Sequence, residues 1–203
     1  MSNPAGSAGN QPNMILLASR HRLFLVFLLF YSCVLIMFPM SLQAMESYAY
    51  AAAAEGYYNL ASTFAVMNEA AHIPDFSHYH PNHPLPHLVA SAMHRLTGLP
   101  ALLLFRAMNF AGTIAFLCLH YALALRILGR PFNATMATAL CAVTYAIWAS
   151  ALSGEVQMVS LALLMSGFYF LTRYFEAQPG SANGQLRVAA VFYVLAIAFH
   201  QAS

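Results

Sequence analysis

The stretch Leu23–Leu42, LFLVFLLFYSCVLIMFPMSL, runs for 20 residues without a formal charge and follows directly on Arg20-His21-Arg22. The hydrocarbon core of a bilayer takes about 20 predominantly apolar residues of α-helix. The apolar core of a cleaved secretory signal is usually about 7–15 residues, so this run reads as an uncleaved first span. Residues 1–19 ahead of it are rich in Gly, Ser, Asn and Pro and read as a disordered cytoplasmic tail.

Four more apolar runs follow. Pro100–Ile127 is interrupted only by Arg106 and His120, and Phe132–Leu152 comes next. A third, 156–172, is bounded by Glu155 and Arg173. A Gly/Ser/Asn linker, Gln178–Gln185, and Arg187 lead into the last, Val188–Ser203. The expected fold is an all-α, multi-pass transmembrane helical bundle over residues 20–203, with spans at 23–42, 100–127, 132–152, 156–172 and 188–203. The last run offers 16 residues, short of the about 17–25 a span uses. The chain is therefore expected to be the N-terminal part of a longer protein or a truncated product, and inactive alone.

Composition agrees with a membrane protein. Apolar residues make up 61% of the 203 residues and charged ones 7%, against about 45–50% and about 25% in soluble domains. A net charge of +2 leaves no basic face for nucleic acid. All 8 cations are arginine. Cys33, Cys118 and Cys141 lie singly in apolar runs with no CxxC pair, which disfavours a disulfide framework or a zinc site.

If every run crosses, Arg20, Arg22, Arg126, Arg130, Arg173 and Arg187 share one side, while segment 44–98 and the turn Ser153-Gly154-Glu155 share the other. That is six arginines against one, with Arg106 set aside inside a span. The positive-inside rule then makes the arginine side, and the N-terminus, cytoplasmic.

Segment 44–98 forms the first extracytoplasmic loop. Residues 46–70 contain no proline and carry Glu46, Glu55 and Glu69. They read as an amphipathic helix too polar to cross, lying at the interface. Residues 74–86 hold Pro74, Pro81, Pro84 and Pro86 and read as a loop, followed by a short helix from about His87 to Leu96 that Gly98 stops.

Charges in or beside spans are costly and mark functional candidates. Glu46, just after the first span, is placed to act as a general base at the interface; its plainer role is a carboxylate at a helix N-terminus. The cluster His78-Tyr79-His80-Pro81-Asn82-His83-Pro84-Leu85-Pro86-His87 is a candidate ligand set for a divalent metal through His78, His80, His83 and His87. Its plainer role is a substrate-contacting or simply polar loop. Arg95 and Arg106 bracket the start of the second span, where a guanidinium can hold a phosphate or snorkel to the interface. Glu155 and His200 fall on the same side as Glu46, with helix-start and interhelical polar roles as their alternatives.

The order of these features resembles the N-terminal half of GT-C-type polytopic glycosyltransferases, nearest the protein O-mannosyltransferase-like and lipid-A aminoarabinose-transferase-like branches. Met45-Glu46-Ser47-Tyr48-Ala49 stands where those families carry an acidic motif after the first span. His80-Pro81-Asn82-His83-Pro84-Leu85 resembles their His-Pro loop. Ser153-Gly154-Glu155-Val156 and Ala198-Phe199-His200 resemble their later acidic and histidine positions. Relatives usually place Asp where Glu46 stands, and the loop here has extra histidines.

The resemblance implies transfer of a sugar from a polyprenyl-phosphate donor to an acceptor hydroxyl at the extracytoplasmic face of a membrane, expected to be a bacterial cytoplasmic membrane. It implies Glu46 as base, Arg95 or Arg106 as phosphate clamp, and His80, His83, Glu155 and His200 lining the site. The expected partners are membrane lipid, the donor and an acceptor whose identity the sequence leaves open. A histidine-rich membrane metalloenzyme, hydroxylase- or desaturase-like, is the alternative. A non-enzymatic transporter or assembly subunit is disfavoured, because its site would sit at mid-membrane whereas the acids here gather at one interface.

Overall fold

The structure, a computed structural model, describes residues 19–37, 84–152, 156–177 and 182–199. Every element among them is helical: α1 (Arg22–Met37), α2 (Pro84–Thr97), α3 (Ala101–Leu128), α4 (Pro131–Ala142), α5 (Tyr145–Leu152), α6 (Gln157–Glu176) and α7 (Ala182–Phe199). α3 and α6 are each long and apolar enough to cross a membrane, and α4 with α5 makes a third candidate if the bent pair is one span. α1 and α7 are shorter apolar helices. At about 1.5 Å per residue, the 28 residues of α3 extend about 42 Å, well beyond a hydrocarbon core of about 30 Å.

Local chemistry sets most helix ends. Gly129 ends α3 with φ 68°, and its N–H donates to Leu125 O at 2.9 Å; only a residue without a Cβ takes that left-handed turn cheaply. Pro131 then opens α4 at its first position, where the missing N–H is not needed. Gly98, with φ 70°, closes α2 as expected, its N–H donating to His94 O at 2.8 Å.

Three sequence expectations change. Residues 84–86, read as loop, belong to the first turn of α2; proline is tolerated there because first-turn N–H groups have no acceptor within the helix. The linker read as Gln178–Gln185 is shorter, since α7 starts at Ala182; Asn and Gly are accepted at a helix start. The run 132–152 is not one straight helix but bends by 67° between α4 and α5. Neither Pro nor Gly lies at the bend. Hydroxyl groups instead take the carbonyls of the last turn of α4. Tyr31 Oη, from α1, donates to Ala142 O at 3.0 Å, and Thr144 Oγ1 donates to Cys141 O at 2.7 Å. A side chain inserted into the i→i−4 ladder is a recognised cause of a kink.

The helices run alternately up and down. His21 at the start of α1 meets Tyr121 Oη, in the second half of α3, at 2.6 Å, and Phe24 stacks on Tyr121 with ring centroids 3.9 Å apart. At the other end, Arg106 Nη2 lies 3.5 Å from Ile36 O in the last turn of α1. α3 and α6 run parallel: Arg126 and Glu176, in their final turns, form an ion pair of 3.1 Å, and the Arg126 guanidinium lies 5.2 Å from the Tyr169 ring centroid. α6 and α7 form the most extensive helix pair, antiparallel, with Phe170 stacked on Phe192 at 5.5 Å. One end of the molecule thus carries the start of α1, the α3–α4 connection and the α6–α7 connection, and with them the six arginines other than Arg95 and Arg106. The opposite end carries α2, the starts of α3 and α6, and the ends of α5 and α7.

The seam between α3 and α6 is held by a small residue. A Cβ on Gly112 would come within 2.6 Å of Val159 N and 2.8 Å of Met158 C, so the two backbones touch directly, as small residues allow between membrane helices. Gly112→Ala is expected to destabilise the fold by about 1–3 kcal/mol, measured by chemical denaturation in detergent. Gly167→Ala is expected to cost less, because the nearest atoms its new Cβ would meet belong to the Tyr193 side chain, whereas at Gly112 they belong to the backbone of α6.

Candidate functional site

The end opposite the arginine-rich one carries a hydrogen-bonded polar cluster centred on Asn109. It sits on the third turn of α3 and is 1% exposed. Its Nδ2 donates to Ser150 O at 2.8 Å and Ala151 O at 3.2 Å, at the end of α5. Its Oδ1 accepts from Met158 N–H at 3.1 Å, at the start of α6. One amide therefore satisfies carbonyls at the end of one helix and an N–H at the start of the next. Ser150 Oγ, 2.9 Å from Gln157 Oε1, adds a second bond across the same turn.

Ser153-Gly154-Glu155, between α5 and α6, lies outside the described residues, but the residues on both sides of it are described. Val156, next to Glu155, is buried with Ala90 of α2 and with Ala101 and Phe105 of α3, and Phe199, next to His200, packs on the same cluster. Positions flanking two separate candidates thus converge on the start of α3. Arg106 follows Phe105 there. It is half-buried and its guanidinium reaches the carbonyl end of α1, where the helix dipole favours a cation.

Arg95 stands apart in manner. It is exposed in the last turn of α2 beside His94. His94 Nδ1 lies 2.8 Å from Leu99 O. A carbonyl only accepts, so Nδ1 carries the proton and His94 ties down the α2–α3 connection. Of the two arginines expected as phosphate clamps, Arg106 belongs to the convergent end of α3, and Arg95 lies on the surface of α2. Glu46, His78, His80, His83, Glu155 and His200 lie outside the described residues, as does the side chain of His87, whose backbone is in the first turn of α2. Among the described residues, no three His, Cys, Asp or Glu side chains gather as a metal site.

Sequence reasoning missed Asn109. Its signal was present: Asn109 is the one amide in the run from 100 to 127, and amides inside apolar helices serve interhelical hydrogen bonding. It also missed the pair of half-buried His120 and buried Thr138, whose Nδ1 and Oγ1 are 3.1 Å apart. Thr138 gives its own proton to Ala134 O at 2.9 Å, so His120 Nδ1 is the donor and the imidazole joins α3 to α4.

Compared with protein-family models, with curated proteins and with solved structures, the chain matches none.

Proposed function

We propose that the chain is a multi-pass integral membrane protein with its arginine-rich end and N-terminus cytoplasmic. In this reading, the opposite end forms the site of a glycosyltransferase that uses a polyprenyl-phosphate sugar donor. Exposed apolar surface supports the membrane setting: Leu29 and Phe30 of α1 are 68% and 67% exposed, as lipid-facing side chains would be, and such surface is unfavourable in water. The observation that carries the site is the convergence of the start of α3, bearing Arg106, with Val156 and Phe199, the neighbours of Glu155 and His200. Arg106, Glu155 and His200 belong to separate sequence motifs, and Phe105, Val156 and Phe199 beside them share one cluster.

The chemistry follows from the residue types. The acceptor hydroxyl gives its proton to the Glu46 carboxylate as its oxygen bonds to the sugar's anomeric carbon. The bond from that carbon to the lipid phosphate breaks, and the phosphate leaves with the electron pair and an added negative charge. Arg106 answers that charge, and its fork suits a phosphate better than a point cation does. Arg106→Gln is expected to weaken binding of polyprenyl phosphate in detergent micelles by about 10- to 100-fold, the worth of a charge-assisted hydrogen bond. Binding unchanged by the substitution would assign Arg106 to the carbonyl end of α1 alone.

A further inference from the structure

Arg126 apart, the proposed transfer chemistry and the helix contacts described above make no use of the arginines at the arginine-rich end. Arg20, Arg22, Arg126, Arg130, Arg173 and Arg187 are all exposed there. Among the described residues the one acid at that end is Glu176, and it pairs with Arg126. The other five arginines leave a strong excess of positive charge on one face.

What lies between the arginines decides the kind of partner. Ile127 is 82% exposed, Phe132 62% and Phe175 76%. They interleave with the cations along the chain, in Arg126-Ile127-Leu128-Gly129-Arg130-Pro131-Phe132 and Arg173-Tyr174-Phe175. An acidic protein or a free anion in water would match the charges and leave the large apolar side chains wet. The boundary of a lipid leaflet matches both, because acyl chains take Ile127, Phe132 and Phe175 while headgroup phosphates meet the guanidiniums.

We propose that this end is a binding surface for anionic phospholipid, with Arg130, Arg173 and Arg187 engaging headgroup phosphates and the interleaved apolar side chains seated among the adjoining acyl chains. The inference rests on the membrane-spanning part of the reading above and not on its sugar chemistry. Arg126 is the least available of the set, being held between Glu176 and the Tyr169 ring. Each remaining cation adds an attraction that salt screens over about 8–10 Å.

The test is lipid selectivity. The full chain is reconstituted into phosphatidylcholine vesicles with a trace of spin-labelled phosphatidylglycerol or spin-labelled phosphatidylcholine, and the motionally restricted fraction is compared. At low salt the anionic probe is expected to be preferred roughly fivefold, with the preference shrinking as salt rises to about 0.5 M. Arg130→Gln, Arg173→Gln and Arg187→Gln combined should bring it to near parity, and the three Arg→Lys changes should keep most of it. The lysine set guards against misreading a folding defect, and the salt series on the unaltered chain needs no variant. Inorganic phosphate at matched ionic strength should leave the preference in place; abolition by phosphate would mean a free-anion site and would overturn the lipid assignment. No preference in the unaltered chain, or an equal preference in the glutamine set, would overturn the proposal while the membrane reading stands. Protein that an alkaline wash strips from the vesicles would overturn both.

Discussion

Replacing Glu46 by Gln is expected to remove transfer while leaving folding and donor binding nearly unchanged. Gln keeps the shape and the hydrogen-bonding capacity of the side chain, so packing survives, but it cannot accept a proton at neutral pH. A positioned general base contributes about 10²–10⁴-fold in rate, and the loss should be at least that large. Glu55→Gln is the control. It stands nine residues further on, about 180° away if the helix expected from the sequence over 46–70 forms, at about 100° per residue, and should matter little. The measurement of the proposed transfer is turnover of a polyprenyl-phosphate sugar by the lipid-reconstituted protein, beside a donor-binding curve. A Glu46→Gln variant that keeps more than about a tenth of the original rate would return Glu46 to the role of a helix-start acid.

The second large effect is structural. Asn109→Leu removes two donated bonds and one accepted bond, and leaves the carbonyls of Ser150 and Ala151 and the N–H of Met158 facing an apolar side chain. An unsatisfied buried polar group costs about 1–3 kcal/mol. Interhelical bonds in membrane proteins average nearer about 0.6 kcal/mol, because the unfolded segments find other partners. A total loss of about 2–4 kcal/mol is therefore expected, read as a lowered midpoint in a denaturant titration. Asn109→Asp should be worse than Asn109→Leu despite its closer shape, since a carboxylate would place negative charge against two carbonyl oxygens. If both variants unfold at the original midpoint, the Asn109 bonds do not hold the end of α5 to the start of α6.

How far the site could be read from sequence depends on the range of each cause. Arg106 stood out because a cation in an apolar run is conspicuous wherever the helix goes. Its placement near the neighbours of Glu155 and His200 was not readable, because it depends on how α3, α6 and α7 are set side by side. Asn109 is quieter. It carries no charge, and its partners lie 41, 42 and 49 residues further along the chain.

By itself the sequence determined the helical segments and the gathering of arginine at the ends of apolar runs. Those properties are local: hydrocarbon length counts residues, the turn at Gly98 needs a residue without a Cβ, and charge asymmetry sums over connections. The tertiary structure decided where a helix breaks and which faces meet. The bend after Ala142 depends on a tyrosine hydroxyl 111 residues earlier in the chain. The contact of α3 with α6 depends on Gly112 finding backbone opposite it. Helices apolar on nearly every side, such as α3 and α4, show no stripe to reveal their partners, so pairing is set by small residues and single hydrogen bonds that gain meaning only when two distant segments lie together.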